Sequence, residues 1–166
     1  MLGRLFRNSK KENVYAPISG RTINITDVQD PVFSQKMMGE GIAIDPDIRI
    51  QTIVAPVAGK IVHLAATKHA FGIRSILGED ILVHVGLDTV ELKGKGFENL
   101  VEEGDKVKAG QPIERVDFAY IGKQGKGTVV PIVITNTAEN KFLFNWCAPE
   151  TVIAGESLIL VSKRHA

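Results

Sequence analysis

The sequence predicts an all-β protein: an antiparallel β-sandwich, barrel-like and single-domain, with short helical turns. Three observations predict it. The chain holds 17 Val and 18 Ile against 11 Leu and 13 Ala, an excess of β-branched over helix-forming aliphatic residues. Its 16 Gly and 7 Pro punctuate short apolar runs at close intervals. Its 166 residues, 44% hydrophobic and 23% charged, are enough for one packed core and exclude a disordered chain.

The elements follow in order. Residues 1–13 read as a flexible basic arm and 14–166 as the folded domain. Leu2, Leu5 and Phe6 share one helix face, with Arg4 and Arg7 beside it. A frayed terminus is the plainer reading, and a weak peripheral contact of residues 1–11 with an anionic membrane surface is the sharper one. Tyr15-Ala16-Pro17-Ile18-Ser19-Gly20-Arg21-Thr22-Ile23 is echoed by Val54-Ala55-Pro56-Val57-Ala58-Gly59-Lys60-Ile61-Val62. Each copy is a strand end, a proline corner, a glycine and a new strand, which predicts two similar hairpins facing each other. Asp30 is placed to cap a short helical turn starting at Pro31. Ile42–Asp45 and Ile61–Ala65 read as strands. Phe71–Ser75 and Asp80–Val85 read as a hairpin. Val101–Ile113 reads as two glycine turns around a short strand. Val129–Thr135 is a strand buried on both faces, and Leu158–Val161 closes the fold.

The net charge of +1 gives no reason to expect nucleic acid. Arg4, Arg7, Lys10 and Lys11 come before the first acid, so the rest of the chain is slightly acidic. The basic start leads into Ser9-Lys10-Lys11-Glu12 instead of an apolar stretch, unlike a secretory signal. No apolar run approaches the ~18 residues of a membrane span. A lone cysteine, Cys147, excludes a disulfide framework, and a reducing cytoplasmic setting is expected.

Two of the four histidines stand out. His165 lies in a polar tail, and His63 alternates within Ile61-Val62-His63-Leu64 as an ordinary strand residue. Pairing Ser75 with Asp80 across Ile76–Glu79 puts His84 opposite Phe71 and His69 opposite Gly86. His69 and His84 are then diagonal neighbours on one sheet face, with Cβ atoms roughly 7–8 Å apart. An odd change in loop length reverses that parity. Leu82, Val83, Val85 and Leu87 give His84 an apolar rim, and Gly86 is expected to admit another molecule. A neutral imidazole with one nitrogen pinned by a hydrogen bond is a nucleophile suited to accept a phosphoryl group. The second imidazole, oriented by Thr67, is placed to steady that group. A His pair satisfied by backbone groups is the competing structural reading.

Three rival chemistries fit less well. A zinc hydrolase needs three ligands and a base, and His69 and His84 supply two ligands; zinc bridged by the pair and a carboxylate from a partner stays open. Pro56–Val62 and Gly104–Ile113 resemble turns of lipoyl or biotinyl carrier modules, but no modifiable lysine stands at a hairpin tip in its motif. Cys147, beside Trp146 and without a supporting His, reads as a buried small hydrophobe.

Thr67-Lys68-His69-Ala70-Phe71-Gly72-Ile73-Arg74-Ser75, followed by Gly78–Phe97 with its Leu82-Val83-His84-Val85-Gly86-Leu87-Asp88-Thr89-Val90 run, resembles the glucose-type enzyme IIA family of the bacterial sugar phosphotransferase system. The resemblance spans about residues 14–162 and includes Asp30–Phe33, Met38–Ile44 and Pro131–Asn136. It implies a β-sandwich in free-standing form, without required cofactor and monomeric. It implies that His84 is phosphorylated at Nε2, that His69 stabilises the phosphohistidine, and that Thr67 hydrogen-bonds His69. The donor implied is the phosphorylated histidine phosphocarrier protein, and the acceptor a cysteine of an enzyme IIB domain of a sugar permease. Asp30 and Asp88 match acidic positions around the site. Phe33 and Leu82 match its apolar ring, and Phe71 is grouped with these as a partner contact. Ile76-Leu77 and Ala65-Ala66 stand where the family is more polar. Some relatives also control other transport or metabolic proteins through their phosphorylation state, which makes a regulatory binding module the alternative function.

Overall fold

A computed structural model describes residues 10–165, and the basic segment from Leu2 to Arg7 lies outside them. The strands are β1 (Lys11–Tyr15), β2 (Gly20–Asn24), β3 (Glu40–Pro46), β4 (Ile50–Val54), β5 (Gly59–Leu64), β6 (Ala70–Ser75) and β7 (Asp80–His84). They continue as β8 (Phe97–Asn99), β9 (Lys106–Val107), β10 (Pro112–Asp117), β11 (Val130–Ile134), β12 (Phe142–Trp146), β13 (Thr151–Val152) and β14 (Leu158–Arg164). Every pairing is antiparallel. An eight-stranded sheet runs β13-β2-β3-β11-β7-β6-β5-β9, and two three-stranded sheets, β1-β14-β12 and β4-β10-β8, complete the sandwich.

Residues 11–13, expected to belong to the basic arm, form part of a strand. Lys11, Glu12 and Asn13 pair with Lys163, Ser162 and Val161 in β14, because their backbone completes a sheet edge. The internal echo is a physical pseudo-symmetry. Tyr15 N donates to Pro56 O and Val54 N donates to Pro17 O, each at 2.9 Å. Ala16 N bonds Ser157 O as Ala55 N bonds Gln111 O, each at 2.8 Å. The two proline corners therefore dock on each other at the centre of the molecule.

Alternation along the strands separates two apolar layers. Phe71, Ile73, Ile81, Val83, Ile132 and Ile134 point into the main core between the sheets. The other face of the large sheet carries a second, smaller cluster, in which Ile25, Val28 and Phe33 cover Ala43 and Val133. β11 is accordingly buried along its whole length, as its unbroken apolar run predicts. Phe33 reaches that layer from a short helix, Pro31–Ser34, with Pro31 in the first turn and Asp30 Oδ1 accepting from Val32 N at 3.0 Å. The covering stops short of β5, β6 and the end of β7, so part of this outer face stays open.

The β6–β7 register differs from expectation by one residue. Ala70 pairs with His84, Phe71 with Val83 and Arg74 with Asp80. Three residues, Ile76–Gly78, turn the chain between Ser75 and Glu79, closed by Ser75 N donating to Glu79 O at 2.8 Å with Gly78 at φ +106°. Ser75 thus faces Glu79, where the sequence reading paired it with Asp80.

Candidate functional site

The site lies where β7 ends on the open face of the large sheet. His84 shares that face with Leu82, while Ile81 and Val83 face the core. By the observed register a regular strand would send His69 to the opposite face, yet the two rings are in contact. Their centroids are 5.1 Å apart with ring planes at 74°, an edge-to-face arrangement. The reason is local. His69 precedes the first residue of β6 and follows Lys68, which adopts a left-handed φ of +63°. Ala65 N bonds Ala70 O and Lys68 N bonds Ala65 O, making a tight turn in which pleat alternation no longer governs side-chain direction. His69 stays tied to the chain just beyond β7 through its carbonyl, which accepts from Val85 N at 2.7 Å.

Each ring is anchored through Nδ1. His84 Nδ1 lies 2.7 Å from Gly86 O. A carbonyl oxygen only accepts, so Nδ1 carries the hydrogen and Nε2 of the neutral ring keeps its lone pair. His69 Nδ1 lies 2.6 Å from Thr67 Oγ1, the partner expected for it. Burial lowers the pKa of His84, against Gly86 O, Asp30 and Asp88, which raise it. Burial also lowers His69, followed by the neighbouring His84 and His63. Both imidazoles are therefore held toward the neutral form.

Asp30, His69, His84, Asp88, Thr89 and Val90 line a depression of about 130 Å³. Phe33 packs on His84 with centroids 5.1 Å apart, but it is only 4% exposed, so it is the wall beneath the ring rather than contact area for a partner. Phe71 is not a partner contact at all. It is 1% exposed in the main core, because its register partner Val83 points inward. Leu82 stays half-exposed beside His84 and also lines a shallow groove of about 420 Å³ with Met38, His63, Gly72 and Ala70.

Two features were missed in the sequence. His63 lies on the open face and lines the groove with His84; its place in an alternating strand was the available signal. Gly86 does not admit another molecule. With φ +81°, a Cβ there would lie 2.5 Å from Thr89 Cγ2 and 2.7 Å from Gly127 O, so its own chain fills the space. Cys147 is half-exposed rather than buried. Among the described residues, no helix is long and apolar enough to cross a membrane.

Comparison with known proteins decides the family. Residues 12–140 match the family model of the phosphoenolpyruvate-dependent sugar phosphotransferase system, EIIA 1. The chain belongs to that family. It is 41% identical over 160 residues to the glucose-specific EIIA component of Staphylococcus epidermidis, covering 96% of this chain and 95% of that one. Against the Staphylococcus aureus glucose-specific EIIA component it is 42% identical over 164 residues, covering 96% and 97%. The solved glucose permease IIA from Mycoplasma capricolum superposes with a TM-score of 0.81 at 35% identity, covering 92% and 96% of the two chains. As an EIIA component the chain is a phosphotransferase component acting in sugar uptake.

Proposed function

We propose that this EIIA accepts a phosphoryl group from the phosphorylated histidine phosphocarrier protein onto Nε2 of His84. It then passes the group to a cysteine of an enzyme IIB domain. The observation that carries this reading is the 2.7 Å contact of His84 Nδ1 with Gly86 O, which leaves Nε2 as the free nucleophile beside His69. On acceptance, the Nε2 lone pair forms the N–P bond while the donor's N–P bond breaks and its electron pair returns to the donor ring. On delivery, a thiolate forms the S–P bond as the bond to Nε2 breaks. Phosphoryl transfer has a loose transition state, so positioning and electrostatics do most of the catalytic work.

His69 has the second role. A Thr67 hydroxyl donating to its Nδ1 leaves N–H at Nε2, a donor for the oxygens of a phosphoryl group on the adjoining His84 ring. Asp30 and Asp88 supply negative charge at the rim for a basic partner surface, and Leu82 with Met38 supplies apolar area. The shallow setting admits a side chain from either partner in line with Nε2. No cofactor enters these steps. The pair offers two nitrogen donors, and a zinc ion there would need a carboxylate from a partner, since no group of three or more His, Cys, Asp or Glu gathers among the described residues. Incubation with phosphoenolpyruvate, enzyme I and the carrier tests the reading. An acid-labile, base-stable phosphate on wild type and none on His84→Gln is expected. Normal labelling of His84→Gln would refute it.

A further inference from the structure

We infer that Thr89 is a positioning residue that helps hold His84 in its reactive tautomer by fixing the Val85–Gly86 peptide, which leads directly into the Gly86 carbonyl; the inference rests on the phosphoryl-acceptor reading above. The tautomer is set by one backbone oxygen, Gly86 O, in a segment that is not part of a strand. That segment needs restraint, because Gly86 stands at φ +81° and Asp88 at φ +59°, conformations with no regular ladder to hold them. Two restraints come from across the chain: Gly86 N donates to Val129 O at 3.0 Å and Leu87 N to Gly127 O at 2.9 Å. The second holds the N–H of the peptide that carries Gly86 O, and the first holds the N–H of the peptide before it; neither restrains the Val85 carbonyl, from which the Gly86 turn departs.

Thr89 supplies that missing restraint with both of its branches. Its hydroxyl donates to Val85 O at 2.6 Å, and the residue is fully buried. Its Cγ2 sits 2.5 Å from where a Gly86 Cβ would be, filling the space that glycine leaves open. Val85 is also the residue whose N–H binds His69 O, so the carbonyl that Thr89 holds lies between the peptide tied to His69 and the peptide that orients His84. A threonine does this where Val or Ser supplies only half. Valine keeps the shape and leaves Val85 O without its partner; serine keeps the hydrogen bond and leaves a gap beside Gly86.

The test uses the full-length protein with Thr89→Val, Thr89→Ser and Thr89→Ala. Histidine ring ¹⁵N spectra read the tautomer directly and need no phosphoryl partner. The expected spectrum of wild type and of Thr89→Ser shows His84 protonated at Nδ1. Thr89→Val is expected to show a mixture with the Nε2-protonated form and to accept phosphoryl up to about a hundredfold more slowly, the scale on which a small misplacement of a reacting group costs rate. Thr89→Ala makes the same comparison against Thr89→Ser if the valine variant does not fold. Hydroxyl-free variants with the wild-type tautomer and acceptance rate would overturn the role of Thr89. Failure of wild-type His84 to be labelled at all would instead overturn the acceptor reading and leave the spectra to judge the tautomer.

Discussion

Glu114→Gln should stabilise the protein, and the gain should grow with pH. Glu114 is in β10, 1% exposed, and its Oε1 finds no hydrogen-bond partner. Burial pushes its pKa from 4.5 to about 9, with Lys68 opposing the shift. A raised carboxyl contributes its full stability below 4.5 and loses it as pH rises toward 9. At pH 7 folding must place on Glu114 a proton that the unfolded chain has released. At about 1.4 kcal/mol per unit, that uptake costs about 3 kcal/mol at pH 7 and about 6 kcal/mol near pH 9. Glutamine keeps the shape and needs no proton. Urea denaturation followed by the single tryptophan, Trp146, at pH 4, 7 and 9 reads the difference. The variant should match wild type at pH 4 and exceed it by about 3 kcal/mol at pH 7, a midpoint shift of about 6–12 °C on heating. Equal stabilities at pH 7 and 9 would show that Glu114 is ionised and paired in the folded state, and the reasoning would fail.

Other outcomes follow from the site and core. His69→Gln should be labelled by the carrier yet deliver its phosphoryl group to a IIB domain at least a hundredfold more slowly; normal delivery would remove His69 from the reaction. Acceptance by wild type should persist at neutral pH and decline only below the lowered pKa of His84, as its imidazole becomes protonated. Asp88→Asn removes an acid that raises that pKa, so this acid limb should move to lower pH; a move to higher pH would contradict the assignment. Phe71→Ala should cost about 3–5 kcal/mol of stability, measured by denaturant titration, because it opens a cavity in the main core rather than trimming a docking surface.

Much of the fold was legible because its signals are local. Asp30 and Pro31 have side chains that favour a helix start whatever surrounds them, and the helix begins there. The two proline-glycine phrases share one turn chemistry, so they fold alike and bond each other reciprocally. Register was less legible, since a change of one residue in the turn after Ser75 flips every side chain on one strand. Phe71 fell on the wrong side for that reason. The meeting of His69 with His84 was expected through the wrong register, and it occurs because Lys68 turns the chain left-handed before β6. Gly86 as a carbonyl donor of orientation and Glu114 as a buried acid carry no sequence signature, because both depend on what distant strands bring beside them.

The most direct test is to phosphorylate the protein through the carrier and locate the phosphate by ³¹P–¹⁵N correlation on histidine-labelled material. A single phosphate on Nε2 of His84, with Nδ1 still bearing its hydrogen, is the expected spectrum. Phosphate on Nδ1 of that ring, or on His69 or His63, would contradict the geometry on which the proposed transfer depends.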